Sequence, residues 1–314
     1  MATVPLEKLP QPWQVSDQRQ TVLVLRNPKA GPRDRSLLVE HAVRALRRAG
    51  WQVEQCDDRQ EFVDLANNSA FTARLRCVVP AGGDGTSTLA ATYLTPQIPL
   101  APLCVGNENV MARWVGYSGS CEQLLHTIRH GRAVTLDAGQ ADGRLFLFVL
   151  TAGFDAQVVH LMHRRRRGHA GHSAYVAPLL RTLIRYRYPP VHLRNGSTSQ
   201  PADSTAWQAP WVFVFNMPCY AMRIPVCRHA MPADGLLDVC TFPPRSLAGS
   251  LCYLALILLG RHAWCRGARH VQLQEVRLES DVPIAYQMDG DPGGHLPVSI
   301  SVCPQRWSIL LPTG

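Results

Sequence analysis

The chain has 314 residues, 46% of them hydrophobic and 18% charged, which is the composition of a folded globular protein and excludes a disordered, collagen-like or fibrous chain. Its 32 lysines and arginines exceed its 23 aspartates and glutamates by nine, which favours an acidic partner such as a nucleotide, a nucleic acid or an anionic membrane. The ten cysteines contain no Cys-x-x-Cys pair and the N-terminus has no signal-peptide pattern, so we expect reduced thiols in the cytoplasm.

The first third of the chain alternates strand and helix signals. Residues 21–26 form an apolar run that predicts a strand, and residues 36–49 carry apolar side chains at helical spacing. Two further short apolar runs, 75–80 and 98–103, each lead into a loop that contains glycine. This alternation predicts a parallel sheet whose ligand-binding loops lie at the carboxyl ends of the strands.

From about residue 135 the pattern changes to repeated strand signals. The predicted strands are 145–150, 211–217, 236–242, 271–279, 284–288 and 298–302. Helical stretches at 175–186 and 247–259 interrupt them, and this spacing indicates an antiparallel β-sandwich. We therefore predict an α/β nucleotide-binding domain over 18–136 and a β-rich domain over 137–303, with the tail 304–314 returning to the first domain.

The segment Gly82–Thr86, with the sequence GGDGT, lies between a predicted strand and a predicted helix. Successive backbone N–H groups and a helix N-terminus bind phosphate in this context, and glycines let the backbone approach the ligand closely. A carboxylate near phosphates repels them unless a metal or a donor intervenes. We therefore assign Asp84 to Mg²⁺, to water or to a substrate hydroxyl.

Two other loops are predicted to line the same pocket. The loop 27–31, NPKAG, ends the first strand, and the loop 106–109, GNEN, follows the third. Either loop alone is typical of an ordinary turn, but parallel strands bring their carboxyl ends to one edge of a sheet. Together the three loops indicate one nucleotide pocket, although no Walker A sequence GxxxxGK[ST] occurs in the chain.

These loops, followed in order by TAGFDA at 151–156, ADGLLDV at 233–239 and DGD at 289–291, resemble the diacylglycerol kinase/sphingosine kinase family over about residues 20–312. The length is similar to that of its bacterial lipid-kinase branch. The resemblance implies a Rossmann-like, NAD-kinase-like parallel-sheet domain and a C-terminal antiparallel β-sandwich domain for the lipid substrate. It also implies transfer of the γ-phosphoryl group of ATP, with Mg²⁺, to a hydroxyl of diacylglycerol, a sphingoid base or a related glycerolipid.

The resemblance implies roles for individual residues. The ATP site would contain Asn27, Pro28, Lys29, Gly31, Gly82, Gly83, Asp84, Gly85, Thr86, Asn107 and Asn109, with Asn107 where the family usually has threonine. The metal site would contain Asp234 with carbonyl oxygens near Met231 and Leu236, while Asp137 and Asp155 would belong to the surrounding network of aspartates and water. Asp291 stands where the family usually has a glutamate general base.

The chemistry of phosphoryl transfer to an alcohol also points to aspartates. It needs positioned phosphates, a divalent cation and a carboxylate that accepts the hydroxyl proton, so Asp84 and Asp291 are the catalytic candidates. Two alternatives remain. An NAD kinase also uses GGDGT, and a regulator that binds nucleotide or lipid without catalysis would tolerate the departures at Asn107, Val110 and Asp291.

Two segments are candidates for membrane contact. Arg164, Arg165, Arg166 and Arg167, flanked by histidines, form the densest basic cluster and suit an anionic membrane surface or a solvated loop. The apolar stretch 247–259 is either a core helix or a route for an acyl chain. With no segment long enough to span a bilayer and no helix-turn-helix signal, we expect a cytoplasmic protein, peripheral at the inner membrane face, that does not bind nucleic acid.

Overall fold

The computed structural model divides the chain into two compact units. It describes residues 6–28, 36–106, 108–165, 176–196, 207–218, 220, 224–262, 265 and 267–313, with backbone only at 6, 165 and 176–178. The first unit comprises residues 1–136 and 304–314, and the second comprises residues 137–303.

The first unit is built on a four-stranded parallel sheet with the strand order β2-β1-β3-β4. Its strands are β1 (Thr21–Arg26), β2 (Gln52–Cys56), β3 (Leu75–Gly82) and β4 (Leu103–Cys104). Its helices are α1 (Ser36–Arg48), α2 (Arg59–Asn67), α3 (Ser69–Thr72), α4 (Asp84–Tyr93), α5 (Val110–Val115) and α6 (Cys121–His130), and a short 3₁₀ helix spans Leu6–Lys8. The predicted parallel α/β sheet is confirmed.

Sequence patterns explain the buried layers of this unit. Every residue of β3 is buried, as expected of a continuous apolar strand covered on both faces. Helix α1 buries Val39, Ala42, Val43 and Leu46, whose spacing places them on one face. The run 98–103 forms only a bridge at Leu100 and the two-residue strand β4, because prolines at positions 99 and 102 remove backbone donors.

Two six-stranded sheets belong mainly to the second unit, with the orders β12-β11-β10-β7-β14-β15 and β6-β5-β16-β13-β8-β9, and residues of β5 and β16 also belong to the first unit. Their strands are β5 (Ala133–Ala141), β6 (Arg144–Phe146), β7 (Val149–Gly153), β8 (Val191–Asn195), β9 (Trp207–Ala209), β10 (Trp211–Phe215), β11 (Leu237–Phe242), β12 (Arg269–Leu273), β13 (Glu275–Glu279), β14 (Ala285–Met288), β15 (Asp291–His295) and β16 (Val298–Leu310). The helices are α7 (Phe154–Arg165), α8 (Val176–Arg185) and α9 (Leu247–Leu258).

Both sheets contribute alternate side chains to one hydrophobic core. Val191, Leu193 and Ile300 come from one sheet, and Val212 and Val239 come from the other. This arrangement confirms the predicted antiparallel β-sandwich. Two predicted strands, 145–150 and 271–279, are each divided into two shorter strands, because the chain crosses from one sheet to the other within them.

A buried arginine joins three segments of the first unit. Arg76, on β3, is 2% exposed, and its guanidinium donates to the carbonyl oxygens of Val15 at 2.7 Å, Ile128 at 3.0 Å and Arg129 at 3.1 Å. Its charge is paired with Asp17, with 3.4 Å between nitrogen and oxygen. One side chain therefore satisfies several carbonyl groups that would otherwise lack donors.

Replacing Arg76 by methionine should lower the free energy of unfolding by about 3 kcal/mol, because each buried carbonyl left without a donor costs about 1–3 kcal/mol. Urea denaturation of the full chain measures this change. The matched control is Arg74→Met, since Arg74 lies two residues away and is exposed. An equal loss in both variants would contradict this role for Arg76.

Candidate active site

Three loops of the first unit come together at the carboxyl ends of its strands. The side-chain nitrogen of Asn27 donates to Thr86 Oγ1 at 3.3 Å, which joins the end of β1 to the start of α4. The backbone N–H of Gly106 donates to the carbonyl oxygen of Gly82 at 3.0 Å. The structure therefore brings together the three loops that the sequence singles out.

Glycine is required where these loops approach each other. A Cβ atom at Gly106 would collide with the Cα atom of Gly83, and a Cβ atom at Gly82 would collide with the side chain of Thr86. Gly83 is the N-cap residue of α4 and has no side-chain capping bond. The glycines therefore let two backbones pack directly against each other at the N-terminus of a helix, a position that favours anions.

Asp84 holds the second loop to the third. Its Oδ2 atom accepts a hydrogen bond from the backbone N–H of Val110 at 3.0 Å, and its Oδ1 atom accepts one from Met111 at 3.2 Å. Burial raises the pKa of Asp84, whereas these two backbone donors lower it. The carboxylate thus caps the first turn of α5, a structural role that the sequence interpretation did not include, while its assignment to Mg²⁺ or a hydroxyl stays a prediction.

The third loop is closed by Asn109, which is buried and adopts a left-handed conformation with φ of 48°. Its side-chain oxygen accepts from the N–H of Gly106 at 3.1 Å, and its side-chain nitrogen donates to the Gly106 carbonyl at 2.8 Å. Asn109 therefore shapes the loop through both ends of its amide. Pro28 is exposed, and the predicted residues Lys29, Gly31 and Asn107 lie outside the described residues.

In the second unit, a short turn carries Asp234. The carboxylate of Asp137 accepts from the N–H of Gly235 at 2.8 Å, and the N–H of Leu236 donates to Asp234 Oδ1 at 3.0 Å. The carbonyl oxygen of Met231, at the start of the turn, accepts from the N–H of Ala233 at 2.8 Å.

The carboxylates of this turn also influence one another. Partial burial raises the pKa of Asp234, and the negative charges of Asp238 and Asp137 raise it further. The structure therefore brings Asp137, Met231, Asp234 and Leu236 to one turn, which offers carboxylate and carbonyl oxygens.

Asp155 lies in a separate, buried network. Its carboxylate accepts from Thr151 Oγ1 at 2.6 Å, from Gln287 Nε2 at 3.2 Å and from the hydroxyl of Tyr220. Burial raises the pKa of Asp155, and these donors oppose the change. The side-chain oxygen of Gln287 accepts from the N–H of Gly290 at 2.8 Å, so the network reaches the DGD turn.

The DGD segment forms the turn between β14 and β15. Asp289 and Gly290 have φ values of 51° and 90°, as a two-residue type I′ hairpin turn requires. The Asp289 carboxylate accepts from three consecutive backbone N–H groups, those of residues 147–149, at 2.7, 2.9 and 3.0 Å. Asp291, the first residue of β15, is exposed, and no described residue hydrogen-bonds to its carboxylate.

Sequence reasoning missed the clamp formed by Asp289 and the donors Gln287 and Tyr220 around Asp155. The Asp-Gly dipeptide was a usable signal for the turn, because this pair is the strongest short-range marker of a type I′ hairpin. No such signal marks the donors to Asp155, since Tyr220 lies 65 residues and Gln287 lies 132 residues away from it along the chain.

A basic cavity of about 510 Å³ lies within the second unit. Its lining includes His160 and Arg164 from α7, Arg181 and Arg185 from α8, and His295 from β15. Burial lowers the pKa of His160. Of the predicted basic cluster, Arg164 thus lines this cavity, only the backbone of Arg165 is described, and Arg166 and Arg167 lie outside the described residues.

Helices α8 and α9 present apolar side chains to solvent. Leu180 and Ile184 on α8 are 51% and 70% exposed, and Leu251 and Leu258 on α9 are 51% and 62% exposed. We call these four residues the apolar face. The interpretation of 247–259 as a core helix is therefore wrong, since of this helix only Ser250 and Ile257 are buried. None of the described helices is long and apolar enough to cross a membrane.

Comparison with known proteins identifies one family model for each unit. The diacylglycerol kinase catalytic domain matches residues 21–141. The YegS C-terminal NAD kinase beta sandwich-like domain matches residues 148–311, which is more than half of the chain.

Similar proteins and structures agree with these matches. A curated protein described as "Probable lipid kinase YegS-like" from Pseudomonas syringae pathovar syringae is 28% identical over 287 residues, covering 88% of each chain. A protein of the same description from Pseudomonas aeruginosa is 27% identical over 317 residues, covering 95% of this chain and 96% of that protein. A crystal structure described as a diacylglycerol kinase from Bacillus anthracis strain Sterne has the same fold, with a TM-score of 0.68, 18% identity, and coverage of 95% of this chain and 98% of that one. Because one model matches each unit, the chain belongs to the diacylglycerol kinase family, in its bacterial lipid-kinase branch.

Proposed function

We propose that this kinase transfers the γ-phosphoryl group of ATP, with Mg²⁺, to a hydroxyl of diacylglycerol, a sphingoid base or a related glycerolipid. The observation that carries the proposal is the packing of Gly106 directly against Gly83 at the N-terminus of α4. Because neither glycine carries a side chain, phosphate oxygens can come close to the backbone N–H groups at this position. Phosphoryl transfer depends mainly on such positioning and on electrostatic stabilisation.

The Asp234 turn is the proposed Mg²⁺ site. The donors are the carboxylates of Asp234 and Asp137 and the carbonyl oxygens of Met231 and Leu236, and Mg²⁺ prefers oxygen ligands of this kind. The neighbouring negative charges that raise the pKa of Asp234 also favour a cation at the turn. Mg²⁺ bound there would supply positive charge to the reaction.

Asp291 is the proposed general base. Its carboxylate is exposed on the first residue of β15, directly after a turn held rigidly by the Asp289 clamp. A carboxylate in this exposed position can reach a substrate hydroxyl and accept its proton. The half-buried Asp155 instead has all of its described contacts within a hydrogen-bond network, so we assign it to supporting the turn through Gln287.

A membrane surface is the proposed source of the acceptor. The apolar face of α8 and α9 exposes leucine and isoleucine side chains, and Arg181 and Arg185 lie on the same helix α8. Apolar side chains that insert between lipids, next to arginines that attract anionic headgroups, are typical of peripheral membrane proteins. A kinase held in this way meets a lipid hydroxyl at the bilayer surface.

The experiment that tests the function is thin-layer detection of product from γ-labelled ATP and Mg²⁺, with vesicles that contain diacylglycerol, with vesicles that contain a sphingoid base, and with NAD in parallel. We expect a labelled lipid and no labelled dinucleotide. Label in the dinucleotide alone identifies an NAD kinase, and binding of nucleotide without any labelled product identifies a catalytically impaired regulator.

Gly106→Ala should weaken ATP binding by about 10- to 100-fold, because the added methyl group forces the loops apart at a cost of about 1–3 kcal/mol. The comparison variant is Gly85→Ala, in the neighbouring loop Gly82–Thr86, where a Cβ atom meets nothing within 4 Å. We expect its affinity to fall far less. Calorimetric titration measures both, and equal losses would show that loop packing does not determine affinity.

Asp291→Asn should lower kcat by about 10²- to 10⁴-fold with little change in the KM for ATP, because the amide cannot accept the hydroxyl proton. Asp291→Glu should recover most of the activity. The control is Asp281→Asn, since Asp281 is an exposed aspartate of the same unit. Full activity in Asp291→Asn would remove this residue from the mechanism.

Replacing Leu251 and Leu258 together by serine should reduce binding to anionic vesicles by at least about tenfold, since each leucine loses part of the roughly 1.5–3 kcal/mol gained on burial in lipid. Sedimentation with phosphatidylglycerol vesicles measures binding. The control is Leu37→Ser on α1, a leucine that is 75% exposed in the first unit. Unchanged sedimentation of the double variant would contradict the proposed membrane contact.

A further inference from the structure

Two cysteines and a histidine form a cluster in the second unit, outside the residues used above. Ligand atoms of Cys227, Cys240 and His270 all lie within 4.8 Å of one another. Cys240 on β11 and His270 on β12 are direct cross-strand partners. Cys227 comes from the segment that precedes the Asp234 turn. The fold therefore gathers sulfur and nitrogen ligands from three separate segments.

The spacing suits a small tetrahedral site. Zinc binds thiolate sulfur at about 2.3 Å and imidazole nitrogen at about 2.0–2.1 Å, so neighbouring ligand atoms of a tetrahedron lie about 3.5 Å apart. Atoms already within 4.8 Å of one another reach those positions through small side-chain rotations. No rearrangement of the strands is required.

A buried carboxylate next to the cluster holds its histidine. The side chain of Asp238 is 1% exposed, and its Oδ1 atom lies 2.6 Å from Nε2 of His270. Its Oδ2 atom is buried and has no hydrogen-bond partner among the described residues. A buried carboxylate of this kind is costly unless positive charge lies nearby. Since Asp238 engages Nε2, the other ring nitrogen of His270 is left for a metal, and carboxylates commonly orient metal-binding histidines in this way.

Burial differs among the three ligands. Cys227 and Cys240 are buried, whereas the side chain of His270 is 46% exposed, so an ion can enter from the histidine side.

We propose that Cys227, Cys240 and His270 bind one Zn²⁺ ion, with Asp238 orienting the histidine and a water molecule completing the tetrahedron. Two sulfur ligands select Zn²⁺ over Mg²⁺, which prefers oxygen, so this site is distinct from the Asp234 turn. Binding requires both cysteines as thiolates and His270 as a neutral imidazole, so any protons on their ligand atoms pass to solvent, and no oxidation state changes. The ion ties β11 and β12 to the segment before the Asp234 turn and so has a structural role.

The test is the zinc content of the untagged full chain, purified with a thiol reductant and without chelator and measured by elemental mass spectrometry. We expect about one Zn²⁺ per chain. After exchange, Co²⁺ should give a thiolate-to-cobalt charge-transfer band, which reports sulfur ligation directly and requires no enzymatic activity.

Variants assign the ligands. Cys227→Ser and Cys240→Ser should lose the zinc and the cobalt band, and Asp238→Asn should weaken zinc affinity about 10- to 100-fold. The control Cys121→Ser, in the first unit, should keep both signals. If a cysteine variant does not fold, the cobalt spectrum of the unaltered chain still shows whether sulfur binds the metal. A folded, reduced chain that holds no zinc and gives no charge-transfer band would overturn the proposal, and so would a disulfide between Cys227 and Cys240.

Discussion

The candidate nucleotide site depends on how one carboxylate holds two loops together. Asp84 begins α4, yet both of its oxygen atoms accept from the first backbone N–H groups of α5. This pair of bonds brings Gly106 against Gly83, at a separation where a Cβ atom on Gly106 would collide with the backbone of Gly83. Asn109 then fixes the returning loop through both ends of its amide. The shape of this candidate site is therefore made by polar side chains that bind the protein's own backbone.

The second unit uses the same residue type for three different purposes, and the environment of each aspartate decides which. Asp289 accepts from three backbone N–H groups and fixes a hairpin. Asp155 is half-buried and accepts from neutral donors, and desolvation raises its pKa. Asp291 is exposed and remains accessible to a substrate. A buried carboxylate that binds its own protein stabilises the fold, whereas an exposed carboxylate beside a rigid turn is suited to chemistry.

Much of the fold was predictable because the patterns are local. The helical spacing in α1 and the apolar run of β3 identified the parallel sheet, and the repeated strand signals identified the sandwich. The division of 271–279 into β12 and β13 was not predictable, because the residues on either side of Gln274 are equally suited to a strand, and only pairing with distant strands assigns them to different sheets.

The candidate site was predictable where glycines mark it. The motif GGDGT and the loop at 106–109 were found from sequence, since a glycine-rich loop between strand and helix is a local pattern. The capping role of Asp84 was not predictable, because its hydrogen-bond partners lie 26 and 27 residues further along the chain. The exposure of α9 could not be predicted either, since a helix that is apolar on every face is consistent with burial in the core and with contact with lipid.

The most direct test of the account is a calorimetric comparison of ATP and AMP binding to the full chain in the presence of Mg²⁺. If the backbone around Gly83 and Gly106 holds the triphosphate, ATP binds saturably at one site and AMP, which lacks the β- and γ-phosphates, binds far more weakly or not at all. Equal affinity for the two nucleotides, or no binding of either, would contradict it.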